Sequence, residues 1–259
     1  MADLAADADA DSIIQQAQQK LQEIQQKVNE LFDKINGLLS WVPSFLSGVV
    51  NAIKDAVDAF NQKLRQFWNQ VEQFFAEPGS PSALKQAAQA WENTVSKTIS
   101  NVTGTLSTDQ LQAENDWQGQ AANAYKSTIP SQTAALNSVQ GIADQLNSSL
   151  NNLAGAVIAF WVAIGAALLT FIVGLVAAIA ACCTVVGTPA GIAAAAGVIG
   201  VVLALVTTAI LTLTSYLNSI STEQSSLAQK LNDNSTFPNG KWPVSTSDMA
   251  DDHGGWQVV

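Results

Sequence analysis

Chemistry-bearing side chains are scarce in this sequence. It has one histidine, His253, and two cysteines, Cys182 and Cys183, which are neighbours. A zinc site, a catalytic triad or a histidine base needs several such groups brought together. The composition therefore argues against an enzyme and against a bound metal or cofactor. Adjacent cysteines bridge only with strain. These two read as small apolar residues at the end of a hydrophobic run, ahead of redox or metal chemistry, with lipidation at a membrane edge as a third reading. No glycine-rich phosphate loop follows a strand. Strand signals are nearly missing, and only Val185-Val186 and Val201-Val202-Leu203 are β-branched enough for a short tongue. Basic residues are few: 11 Lys and Arg face 21 Asp and Glu, for a net charge of −10. That excludes the basic stripe of a nucleic-acid surface and simple electrostatic docking on anionic lipid. Met1 to Asp11 is acidic and has no apolar core, so it does not read as a secretory signal peptide.

The longest absence is of charge. From Gln145 to Thr222 there is no Asp, Glu, Lys, Arg or His. Two apolar runs fill that stretch, Leu153 to Cys183 and Ile192 to Leu217. A helix crosses a bilayer with roughly 20 apolar residues, and both runs exceed that. Between them Gly187, Pro189 and Gly191 break the helix and predict a turn. The expectation is a helical hairpin with a short uncharged tip. Its arms are apolar all round, as Phe160, Trp161, Ile164, Leu168, Phe171, Ile172 and Leu175 show. Such helices are either buried in protein or surrounded by lipid. Ala159, Ala163, Ala167, Gly174 and Ala178 on one arm, with Ala193, Gly197 and Gly200 on the other, predict close approach of the two. The alternative is the core hairpin of a soluble bundle.

What precedes is amphipathic. Ser12 can cap a first helix. Ile14, Ala17, Leu21, Ile24, Val28, Leu31, Ile35 and Leu38 then alternate in steps of three and four, a coiled-coil seam. With few charge pairs beside it, the seam specifies packing without naming the partner. Trp41-Val-Pro-Ser44 interrupts the helix at Pro43. A second helix runs to about Ala76, with Phe45, Val49, Ile53, Val57, Phe60, Leu64, Phe67, Val71 and Phe74 along it. Glu77-Pro-Gly-Ser-Pro81 is the sharpest boundary in the chain. Ser80 and Pro81 open a third helix, whose Trp91, Val95, Ile99, Val102 and Leu106 share one face.

Asp116-Trp-Gln-Gly-Gln-Ala-Ala-Asn-Ala-Tyr125 follows. This Trp-x-Gly, with an alanine-rich helix after it and a helix before it, resembles the WxG family of small type VII secretion substrates over residues 81–150. The resemblance implies an antiparallel helical hairpin with Trp117 and Gly119 in its turn, and export without a signal peptide. Glycine permits such a turn and tryptophan anchors it. The family's export signal, a Tyr with an acidic residue four positions on, has no counterpart: Tyr125 is followed by Ile129 and Tyr216 by Ile220. Pro130 and Gly141 are expected to interrupt the fourth helix. Beyond the second arm, Leu213, Leu217, Ile220, Gln224, Leu227 and Leu231 continue as one amphipathic helix. Asn232 to Val259 reads as an irregular tail, in which Trp242 and Trp256 are either docking points or frayed.

The expected fold is all-α: an elongated helical bundle or coiled coil carrying a hydrophobic hairpin. Its parts are N-terminal coiled-coil helices over 1–77, a WxG-like hairpin over 81–150, the membrane-insertable hairpin over 151–217, and an amphipathic helix with a tail over 218–259. The expected function is that of a bacterial, secreted or membrane-associated substrate of type VII secretion that puts its hairpin into a lipid membrane, as an oligomeric pore, with other copies or a WxG-like protein as partner. A resident membrane-anchored scaffold and a component of an α-pore-forming toxin are the competing readings.

Overall fold

A computed structural model describes residues 2–41, 47–106, 119–182, 184 and 187–244, the side chains of 2–10 and 121 excepted. The chain is an all-α helical bundle, with no strand among the described residues. Helix α1 spans Ala2–Leu39 and α2 spans Ser47–Ala76. Pro81–Ala90 forms α3, Trp91–Ser96 is a π-helical turn, and Lys97–Thr105 is α4. Two long helices complete the set, α5 over Gln120–Ala181 and α6 over Thr188–Leu231.

Several boundaries differ from the expectations. The first helix starts at Ala2, not at Ser12. Alanine is the best helix former, and aspartates are favoured near a helix N-terminus, so Ala2 to Asp11 extends the helix. Pro130 and Gly141 do not interrupt α5, which is continuous across both. A proline in a helix removes one backbone bond, and nearby hydroxyls can occupy carbonyls around it. Here Ser127, Thr128 and Ser131 donate to the carbonyls of Ala124, Tyr125 and Thr128. The Val201-Val202-Leu203 segment is helical; Val185 and Val186 lie outside the described residues.

The chain divides into two compact units. The first joins Met1–Ser82 to Ala154–Tyr216. It holds one apolar core, to which α1 contributes Ile14, Ala17, Ile24, Val28, Leu31 and Ile35, and α2 contributes Ile53, Phe60, Leu64, Phe67 and Val71. The seam thus packs inside the chain, with Leu21 half-buried beside it. Rings interlock between helices, edge to face: Phe32 with Phe60 at 5.8 Å, Phe67 with Phe171 at 5.0 Å and Phe75 with Trp161 at 5.0 Å between centroids. Such pairs add about 0.5–1.5 kcal/mol each beyond the area they bury.

The second unit joins Ala83–Leu153 to Leu217–Val259. Its buried residues are small, among them Ala88, Ala122, Ala135 and Ala143, with Ile129 and Ile142. The third helix does not bury the expected face. Trp91 is 39% and Val102 40% exposed, while Ser96 is buried and donates to Asp144 Oδ1 at 2.6 Å. A π-turn inserts one residue into the helical repeat and rotates everything after it, which a 3.6-residue periodicity does not anticipate. The start of the tail is fixed in place. The Gln132 amide donates to the carbonyls of Pro243 and Val244 at 2.7 and 3.0 Å and accepts from the Trp242 indole. Phe237 is buried beside Trp242. Trp256 lies outside the described residues. Asp233, just past α6, accepts from the backbone and hydroxyl of Ser235, and these bonds hold its carboxyl below the usual carboxylate range.

Candidate functional site

The hairpin formed by the end of α5 and the start of α6 belongs wholly to the first unit. Each helix is long and apolar enough to cross a membrane. Because the arms are apolar all round, their sequence leaves the inward face open; packing selects it. On the first arm Phe160, Trp161, Ile164, Leu168, Phe171 and Leu175 are buried, and on the second Ile192, Ala195, Ile199, Val202, Val206 and Ala209. The second set steps by three and four, a helical face hidden in a run of uniform hydropathy.

The opposite face is bare. Val162, Leu169 and Val173 on the first arm are 53%, 51% and 62% exposed, and Val201 and Leu211 on the second 55% and 64%. Only 39% of the most apolar window of the first helix, and 28% of the second, is buried within the chain. Large exposed apolar patches mark interaction sites on folded proteins.

Hydroxyls are polar groups on the exposed surface of the arms, and several are internally satisfied. Thr170 donates to the Ala166 carbonyl at 3.0 Å, Thr207 to Leu203 at 2.8 Å, Thr208 to Ala204 at 2.9 Å and Thr212 to Thr208 at 2.9 Å. A hydroxyl bonded to the carbonyl four residues back has no donor left to desolvate, which removes most of the cost of placing it in hydrocarbon. Three of these threonines line a groove of about 430 Å³ between the arms. Ala159, Ala163 and Ala167 form much of its wall, and Tyr216 sits at its end.

The small residues divide into two sets. Gly174 and Gly191 permit close approach. An added Cβ at Gly174 would lie 2.4 Å from Val198 Cγ1, and one at Gly191 would lie 3.0 Å from Ala181 Cβ and 3.1 Å from the Ala178 carbonyl. Gly197 and Gly200 do not mediate arm-to-arm contact. Nothing stands near their missing Cβ atoms, and with Ala196 they flank a shallow groove beside Gln62, Lys63 and Gln66 of α2.

At the tip, Thr184, Gly187 and Thr188 form a bonded turn. Gly187 N–H donates to Thr184 Oγ1 at 3.0 Å, and Thr188 Oγ1 donates to the Thr184 carbonyl at 2.7 Å. Gly187 is needed for space, since a Cβ would meet the Ala181 carbonyl and Thr184 Oγ1 at 2.8 Å. Pro189 sits in the first turn of α6, where a missing N–H costs nothing. Cys182 is buried beneath this turn; Cys183 lies outside the described residues.

Of the Trp-x-Gly pair, Trp117 lies outside the described residues. Gly119 immediately precedes α5 with φ +111°, a left-handed value that favours glycine. Among the described residues no cluster of three or more His, Cys, Asp or Glu side chains is placed to hold a metal ion. No protein-family model, curated protein or solved structure matches the chain.

Proposed function

We propose that this chain is a non-enzymatic membrane-inserting protein, delivered by type VII secretion, whose hairpin enters a bilayer tip first and assembles with other copies into a pore. The observation that carries the reading is the bare face of the hairpin: exposed, apolar, uncharged, and with its threonine hydroxyls turned back onto their own helices. A soluble core helix has no need of a second apolar face, whereas a helix in lipid does. The uncharged tip favours passage, since a single charge at the bilayer centre costs about 2.5–3.5 kcal/mol. The export route rests on the resemblance of residues 81–150 to WxG substrates.

Two measurements test it. Purified full-length protein is added to liposomes holding a self-quenched dye, and release is followed while a Cys placed at Thr188, with Cys182 and Cys183 replaced by alanine, is probed from the far side. Release together with delivery of the label across the bilayer is expected. Intact liposomes would return the hairpin to the role of a core element. Export is tested with Trp117→Ala combined with Gly119→Val, which should abolish appearance of the chain outside producing cells. Unchanged secretion of that variant removes the WxG reading, and a chain found only in the membranes of its producing cell is a resident scaffold.

A further inference from the structure

The insertion reading leaves open what happens to α1 and α2, and their charge decides it. We infer that the α1–α2 pair is a detachable lid on the hairpin, held by the aromatic contacts of α2 and hinged at residues 77–80, and that insertion requires its release. This rests on the membrane reading above and adds a regulatory step to it.

The lid and the arms share one core but differ in the opposite face. The lid carries exposed Glu23, Asp33 and Lys34 on α1 and Lys63, Arg65 and Glu72 on α2. The arms carry no charge at all. A bilayer that accepts the arms therefore rejects the lid, and the two cannot enter as one body. The contact between them suits separation. Its main parts are apolar: Phe67 against Phe171, Phe74 against Phe160 and Phe75 against Trp161. In water such contacts hold because parting exposes apolar surface. In lipid that force is absent, because acyl chains solvate the arms as well as the lid does. A polar tie reaches from α2 to the second arm, Gln70 Nε2 to Thr207 Oγ1 at 2.8 Å, and it is exposed.

The hinge has its own latch. Residues 77–80 are non-helical, and Gly79 has φ +74°. The Trp161 indole donates to the Pro78 carbonyl at 2.9 Å, and Val157 lies beside Gly79. Near the start of the lid, Ser82 Oγ donates to Asp11 at 2.9 Å. The first arm thus grips the loop about which the lid would turn, and sliding of that arm into lipid would withdraw the grip.

The experiment ties the lid shut. Gln70→Cys with Thr207→Cys, in full-length protein carrying Cys182→Ala and Cys183→Ala, is joined by a short bismaleimide with a reducible centre. A control joins Asn69→Cys to Gln73→Cys, exposed and one turn apart on α2, so that the same linker sits on the lid without reaching the arms. Both are added to dye-loaded phosphatidylcholine and phosphatidylglycerol vesicles before and after reduction of the linker. A tie that removes the separated state should lower release by about tenfold or more, with full recovery on reduction, while the link within α2 leaves release unchanged. Equal release with the lid linked and unlinked overturns the lid and leaves insertion standing. A block by both links shows that any tether is inhibitory and also overturns it. No release from either protein, linked or reduced, overturns insertion and the lid with it.

Discussion

Gly174 and Val198 stand so close that a methyl group on the glycine would overlap the valine side chain, at 2.4 Å from its Cγ1. The contact fixes how tightly the two arms pack. A Cβ is fixed by the backbone, so it cannot rotate away from this contact.

Gly174→Leu should therefore force the arms apart. Overpacking of this kind costs about 1–3 kcal/mol. Urea unfolding should show a lowered midpoint. Gly197→Ala, where nothing lies near the missing Cβ, should leave the midpoint unchanged or raise it slightly, since alanine is the better helix former.

Ile24 and Leu31 are both fully buried on the seam of α1. Replacing both with aspartate puts two unpaired charges in the core, a change that belongs with the exceptional losses of about 4 kcal/mol or more. Loss of cooperative thermal unfolding, followed by circular dichroism, is the expected result. A variant that unfolds like the wild type would show that the α1 seam contributes little to the core.

Ala190 and Ala194 are exposed near the start of α6. Ala190→Lys with Ala194→Lys should leave the folded protein intact in water, apart from a small unfavourable interaction with the helix N-terminus of about 0.3–1 kcal/mol. The same pair must cross the bilayer if the tip does, so dye release should slow by about 100-fold or more. A normal melting curve with unslowed release would mean that the tip never crosses.

Gln132 binds the start of the tail through both ends of its amide. Gln132→Ala leaves the Trp242 indole and two carbonyls without that partner, at a cost of about 1–3 kcal/mol. Hydrogen exchange over residues 237–244 should become faster, with little change in the first unit.

The Asp233 carboxyl titrates below the usual range because the Ser235 bonds favour its ionised form. A folded-state value below the unfolded one adds stability above the unfolded value and loses it as pH falls through the folded value. Carboxyl NMR should place its midpoint on the acidic side of an unstructured aspartate, and Ser235→Ala should move it back up.

The sequence by itself determined the helical class and the hairpin. Where polar residues mark one side of a helix, the spacing of the others states which side goes in, and Ile24, Val28, Leu31 and Ile35 are buried as their spacing requires. Gly187 likewise placed the turn, with Pro189 in the first turn of the helix after it, because their backbone and steric limits are local; Gly191, expected to break the helix, lies inside α6 and serves the close packing of the arms instead. In the third helix the same logic failed at Val102, since one inserted residue in the π-turn before it shifts the phase and leaves no mark in periodicity; Trp91, which opens that turn, is exposed as well. The arms are the deeper case. With no polar residue to set a phase, Phe171 and Val173 are equivalent in sequence, yet one is fully buried and the other 62% exposed. Only packing against α2 made that choice, because burial of an unmarked apolar helix depends on which neighbour reaches it and from which side.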